Sequence, residues 1–168
     1  MESHLESLID DLAGEDISKR SRAHRALVRE GSNAVPALVE LLKSPYERVR
    51  WEAVRTLSDI NEPSSTAALV TVLDDEIRDV RWSAADGLIA HGEESIVPVI
   101  ANLIGRPASV RVRLASAHVL RAFLNGSYQE ILRPVVAALG LTSAAVEVPV
   151  AAYDALEKLR VMQQAEGK

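Results

Sequence analysis

The chain has 168 residues, 48% apolar but only 4% aromatic, with a formal net charge of −5 and no cysteine. That length suits one domain with a core of Leu, Val, Ile and Ala, and the lack of cysteine removes disulfides, thiolate zinc sites and thiol catalysis together. The acidic balance argues against broad, phosphate-driven binding of nucleic acid, although it leaves room for a local basic patch.

The first stretch, MESHLESLIDDL, is acidic and amphipathic and carries no basic region ahead of an apolar run, so it does not read as a secretion signal. No segment approaches the roughly 18 uninterrupted apolar residues that a membrane helix needs. The expected setting is the cytoplasm, with no membrane contact.

Further along, the phrase VRWEAVRTL, Val49 to Leu57, is followed 31 residues later by VRWSAADGL, Val80 to Leu88. Both tryptophans of the chain, Trp51 and Trp82, stand at the same point of the repeated phrase. Val49, Ala53 and Leu57 recur as Val80, Ala84 and Leu88, then after a one-residue insertion as Val112, Ser116 and Leu120. A preceding phrase keeps the same step: Pro36, Leu38, Leu41 and Leu42 become Ala67, Leu69, Val72 and Leu73, then Pro98, Ile100, Leu103 and Ile104. A period of this size is the signature of a stacked repeat.

In chain order, LESLIDDL predicts a short helix and KRSRAHRAL a longer one, with Leu27 aligned on Leu57. The second unit has a short helix marked by Leu38, Leu41 and Leu42, a turn at KSPYE, and a long helix. That helix carries Val49, Ala53, Leu57 and Ile60 on one stripe. INEPSS is the next turn, and the third and fourth units repeat the plan. ILRPVVAAL and VPVAAYDAL fit a last unit only after extra residues around LNGSYQE and GLTSAAV. Each antiparallel helix pair leaves an apolar face uncovered and must stack on its neighbours. The expectation is a single repeat domain over 1–168, with units of about 1–30, 31–61, 62–92, 93–125 and 126–165 and the outer two as caps.

These phrases resemble the HEAT repeat, in particular its short HEAT-like form named after phycobilisome (PBS) lyases. The family pattern has a proline in the first helix, a polar loop, then Val-Arg, two variable residues and a paired Ala-Ala before a Leu. VPALVELLKSPYERVRWEAVRTL and VPVIANLIGRPASVRVRLASAHVL carry most of it. The resemblance implies an all-α fold, a right-handed α-solenoid or α-α superhelix of about five HEAT-like helix pairs. It implies that the second helix of each pair lines a concave surface. It also implies that Arg50, Arg81 and Arg113, from the Val-Arg phrase, form a structural ladder with acidic or carbonyl groups of the interhelical loops. A fold of this kind is nearly silent about activity.

Trp51 lies two residues beyond Val49, about 200° around the helix and away from the core stripe. Glu52 and Arg55 share that outward side; the matching residues are Trp82, Ser83 and Asp86, then Leu114, Ala115 and His118. By the resemblance, the two tryptophans are neighbours on a concave floor, roughly 8–10 Å apart. The competing reading is that they cover the stems of Arg48, Arg55 and Arg78. The solubility cost of exposed tryptophans, and the enrichment of Trp and Arg in hot spots, favour a binding floor. The candidate partner-binding residues are Arg22, Arg25, Arg48, Trp51, Glu52, Arg55, Arg78, Trp82, Asp86, Leu114 and His118.

Along that groove, Ser21, Arg22 and Arg25 are followed by the aromatics and then by Asp86 and Asp154. A basic end therefore leads to a weakly acidic one, which suits a protein partner offering an acidic segment and an apolar anchor. The expected function is a protein-binding scaffold or adaptor. The rivals are a bilin lyase-like or phycobiliprotein chaperone subunit, suggested only by the repeat subtype, and a nucleic-acid-binding HEAT-like protein, which the acidic total disfavours.

No enzyme chemistry is expected. The deoxyhypusine hydroxylase branch of the HEAT-like family has paired His-Glu motifs where this chain has Trp51-Glu52 and Trp82-Ser83, so a two-iron site lacks its ligands. His91 aligns with Ile60 and reads as a partly buried helix-end residue; HGEES, His91 to Ser95, spans a turn with no second cluster. LNGSY reads as an interhelical turn, no phosphate-binding glycine loop is present, and Asp10-Asp11 and Asp74-Asp75 read as capping and solvation. No cofactor and no metal are called for.

Overall fold

The computed structural model describes residues 2–124 and 126–166, and the side chains of 4–124 and 126–165. Among the described residues, ten α-helices come in five antiparallel pairs: α1 (Glu2–Ala13) with α2 (Ile17–Glu30), α3 (Val35–Leu41) with α4 (Glu47–Asp59), and α5 (Pro63–Val72) with α6 (Arg78–Ala90). Then follow α7 (Ile96–Gly105) with α8 (Val110–Ala122), and α9 (Gln129–Leu139) with α10 (Ala144–Glu166). Regular structure among the described residues is entirely helical. The LNGSY turn lies between α8 and α9, with its Asn125 outside the described residues.

Local signals explain the boundaries. Asp16 caps α2 by accepting from the Ser18 and Lys19 amides at 2.8 and 3.0 Å, which satisfies donors that have no partner in the first turn. Gly31 ends α2 with φ +59°, a conformation that an L side chain disfavours. Pro63 opens α5 at a position where its missing N–H costs nothing, beside a capping box of Glu62 and Ser65.

The chain divides into two compact units, Met1–His91 and Gly92–Lys168. In the first, helix pairs stack as in an α-solenoid. The first helices α1, α3 and α5 form one row; the second helices α2, α4 and α6 form the other, with α4 packed between its neighbours. The predicted stripe of Val49, Ala53, Leu57 and Ile60 is buried, and so are Leu27, Leu69 and Leu88. Leu41 and Leu42 are only half-buried, because α3 is short and ends at Leu41. Gly87 lets α6 approach α4 closely: a Cβ there would run into the Ser58 side chain and come within 3.2 Å of Leu69.

The second unit closes differently. Its helices touch in cyclic order, α7 on α8, α8 on α9, α9 on α10, and α10 back on α7. Within this unit α10 therefore packs against a first helix, α7, as well as against its own partner α9. Asp154, expected on the groove row, lies on exposed α10 surface and pairs with Lys158 at 2.6 Å.

Candidate functional site

The row of α2, α4 and α6 turns Val49, Ala53 and Leu57 inward, so the alternating positions of α4 face away from the core. Trp51 is 38% exposed there, and the Arg55 guanidinium lies 5.9 Å from its ring centroid, one turn further along α4. Trp82 occupies the matching place on α6 and is half-buried. Arg22 and Arg25 on α2 and Arg78 and Asp86 on α6 are exposed. The first unit thus brings together nine of the candidate residues.

Two of the nine do more inside the repeat than at its surface. Glu52, expected to face outward, is 6% exposed and accepts from Arg20 Nε at 3.1 Å, with Arg55 at 3.7 Å. It sits only one residue before core-facing Ala53, on the flank of α4 that meets α2, so neighbouring helices cover it. Arg48 reaches back to the loop between α1 and α2, where its Nη2 donates to the Ala13 carbonyl at 2.7 Å and to Glu15 at 3.0 Å. Its buried Nη1 has no hydrogen-bond partner among the described residues.

Arg48 stands between two clefts. The larger, about 550 Å³, is lined by Ala13, Leu41, Tyr46 and Glu47 among others. The smaller, about 260 Å³, lies between the N-terminal turns of α4 and α6 and is lined by Glu47, Arg48, Trp51, Ile77, Asp79 and Val80. Sequence reading missed Glu47 and Asp79, because each looks like an ordinary first-turn acid of its own helix.

The Val-Arg arginines hydrogen-bond to interhelical loops. Arg50 is 6% exposed and donates to both carboxylate oxygens of Asp75, in the loop of the following pair. Arg50 also donates to the Ser44 carbonyl, Arg81 to that of Asp75, and Arg113 to that of Pro107, each six residues upstream. Arg20 does the same with Gly14. Aligning Leu27 with Leu57 already puts Arg20 in register with Arg50, so this fourth member was legible. Asp75, read as solvation and capping, caps the Ile77 amide but is chiefly the acceptor of Arg50.

Two buried histidines join the helices. His24 Nδ1 lies 3.0 Å from the Thr56 hydroxyl and Nε2 3.0 Å from Asp59. Burial, then the Arg55 charge, pushes its pKa below the ordinary value against the pull of Asp59 and Glu52. His91, buried at the end of α6 as expected, lies 2.8 Å from the Thr66 hydroxyl through Nδ1 and 2.9 Å from the Ser58 carbonyl through Nε2. No group of three or more His, Asp and Glu that could hold a metal occurs among the described residues.

In the second unit, Leu114 is 61% exposed on α8 and His118 is half-buried. That unit also has an exposed apolar row on α10, formed by Val146, Val150, Tyr153 and Val161, which the repeat alignment did not single out.

The family model described as HEAT repeats matches residues 5–89, just over half of the chain. The chain belongs to the HEAT repeat family. Repeats of this family generally act as scaffolds for protein–protein interaction, bind other proteins and are generally non-enzymatic. A comparison with curated proteins finds no match. None of the described helices is long and apolar enough to cross a membrane.

Proposed function

We propose that this chain is a protein-binding scaffold or adaptor whose contact face is the outward, concave side of α2, α4 and α6. One observation carries the reading: Trp51 is 38% exposed on α4, and Trp82 holds the same position on α6, the helix packed beside it. Large aromatics left half in water on adjacent helices are typical of surfaces that bury them against a partner. Arg22 and Arg25 remain exposed at the α2 end to meet an acidic flank of that partner, while Arg48 and Arg55 are engaged by Glu15 and by Trp51 and Glu52. Its expected setting is the cytoplasm.

The test is a pull-down from the source lysate with wild type beside Trp51→Ala/Trp82→Ala, after circular dichroism has shown that the variant folds. A protein retained by wild type and lost by the variant supports the reading. Identical catches would mean that the tryptophans only pack against the arginines.

A further inference from the structure

We infer that the cleft between the N-terminal turns of α4 and α6 takes a basic side chain, a lysine or an arginine, presented by the protein partner; the inference rests on the scaffold reading and names part of that partner's chemistry. The floor and wall are apolar, made by Ile77, Val80 and Trp51, and Glu47 and Asp79 line the same space. Neither carboxylate makes a hydrogen bond or ion pair among the described residues. Arg48, the cation among the described lining residues, is paired through Nη2 with Glu15, while its Nη1 has no partner among the described residues. Arg78, beside Asp79 in sequence, is not part of the lining. With two carboxylates and one guanidinium in the lining, and that guanidinium also paired with Glu15, the cleft carries a net negative charge beside an aromatic wall.

The tryptophan ring sets the geometry. Arg55, four residues after Trp51, holds its guanidinium over the ring, which shows that the ring accepts a cation. The α4 residues that line the cleft, Glu47, Arg48 and Trp51, all precede Arg55, which is not part of the lining. A long aliphatic stem would cover Ile77 and lie along the Trp51 ring while its charged head meets Glu47 and Asp79. A partner with an acidic flank towards α2 and a basic residue towards α6 then matches the whole row.

Two indole N–H signals, from Trp51 and Trp82, make this directly measurable by ¹H–¹⁵N NMR, with Trp51→Phe and Trp82→Phe assigning them. The probes are N-acetyl-lysine amide and N-acetyl-arginine amide, with N-acetyl-glutamine amide as the neutral control, each titrated to about 50 mM to catch weak affinity. The expected result is a progressive shift of the Trp51 signal with either basic probe, little change at Trp82, and none with the control. In Glu47→Gln/Asp79→Asn the apparent affinity should fall about tenfold or more, because both attracting charges are gone. An unmoved Trp82 signal in the variant's starting spectrum reports that it is folded.

No shift at Trp51, an equal shift with the glutamine probe, or an unchanged titration in the double variant would overturn the inference. The scaffold reading fails separately: a partner still held by Trp51→Ala/Trp82→Ala would remove that reading even where the Trp51 signal titrates. Conversely, a partner lost on that substitution but no titration would keep the scaffold and discard the basic side chain.

Discussion

Arg50 and Asp75 are 25 residues apart and are joined by two hydrogen bonds, Nε at 2.7 Å and Nη2 at 3.1 Å to different carboxylate oxygens. Both side chains are close to fully buried, at 8% and 11% exposure. The pair ties the second helix of one repeat to the loop of the next, while Nη1 holds the Ser44 carbonyl of its own loop. One planar fork thus fixes two loops, which a lysine ammonium does not reproduce.

Arg50→Ala should therefore be among the most destabilising single changes, about 3–5 kcal/mol, because it leaves Asp75 buried without its cation. Arg50→Lys should recover only part of the loss. Urea unfolding followed by circular dichroism measures both, and a midpoint unchanged from wild type in Arg50→Ala would contradict the ladder.

The stability of the first unit should fall as pH drops through the histidine range. His24 has its pKa pushed below the ordinary 6.5 by burial and Arg55, so the unfolded chain takes up a proton more readily than the folded one. The contribution is whole above 6.5 and is lost progressively as pH falls from there towards the folded value. The Thr56 hydroxyl donates to the Glu52 carbonyl at 2.8 Å while its oxygen lies 3.0 Å from Nδ1, and Asp59 lies 3.0 Å from Nε2. Unfolding midpoints at pH 7.5 and 5.0 should differ more in wild type than in His24→Leu. Equal pH sensitivity would assign the dependence to other groups.

Gly87→Ala should cost about 1–3 kcal/mol through overpacking, since a new methyl meets Ser58 and Leu69 where α6 lies against α4. Adding Ser58→Ala should restore part of it, because one clashing atom is then removed. A fully additive double variant in thermal unfolding would show that the two positions do not share a contact.

Trp51→Ala should weaken partner binding by on the order of 2 kcal/mol, roughly thirtyfold, if its ring is a hot spot. Its effect on folding should be smaller, because the ring is already 38% exposed. Glu52→Ala should do the reverse, losing stability first, because Glu52 is buried against Arg20. Calorimetric binding beside urea unfolding separates the two, and the opposite ranking would return Glu52 to the contact face.

The 31-residue recurrence of core positions by itself determined that this chain is built of helix pairs, while a loop-holding role for the Val-Arg arginines came from the family resemblance. It could do so because burial repeats with the helix period: Val49, Ala53 and Leu57 must face inward whatever lies opposite them. What it could not determine were the contacts made across repeats by residues far apart in the chain. Glu52 reads as an outward position until α2 brings Arg20 to it, and Asp75 reads as solvated until Arg50 arrives. Glu47 and Asp79 become one cleft only because α4 and α6 pack side by side. The cyclic packing of α7 to α10 was equally hidden, since an apolar face states that it needs a neighbour but not which helix that neighbour is. Periodicity is a property of each helix alone, whereas charge pairing and cavity shape belong to the packed set.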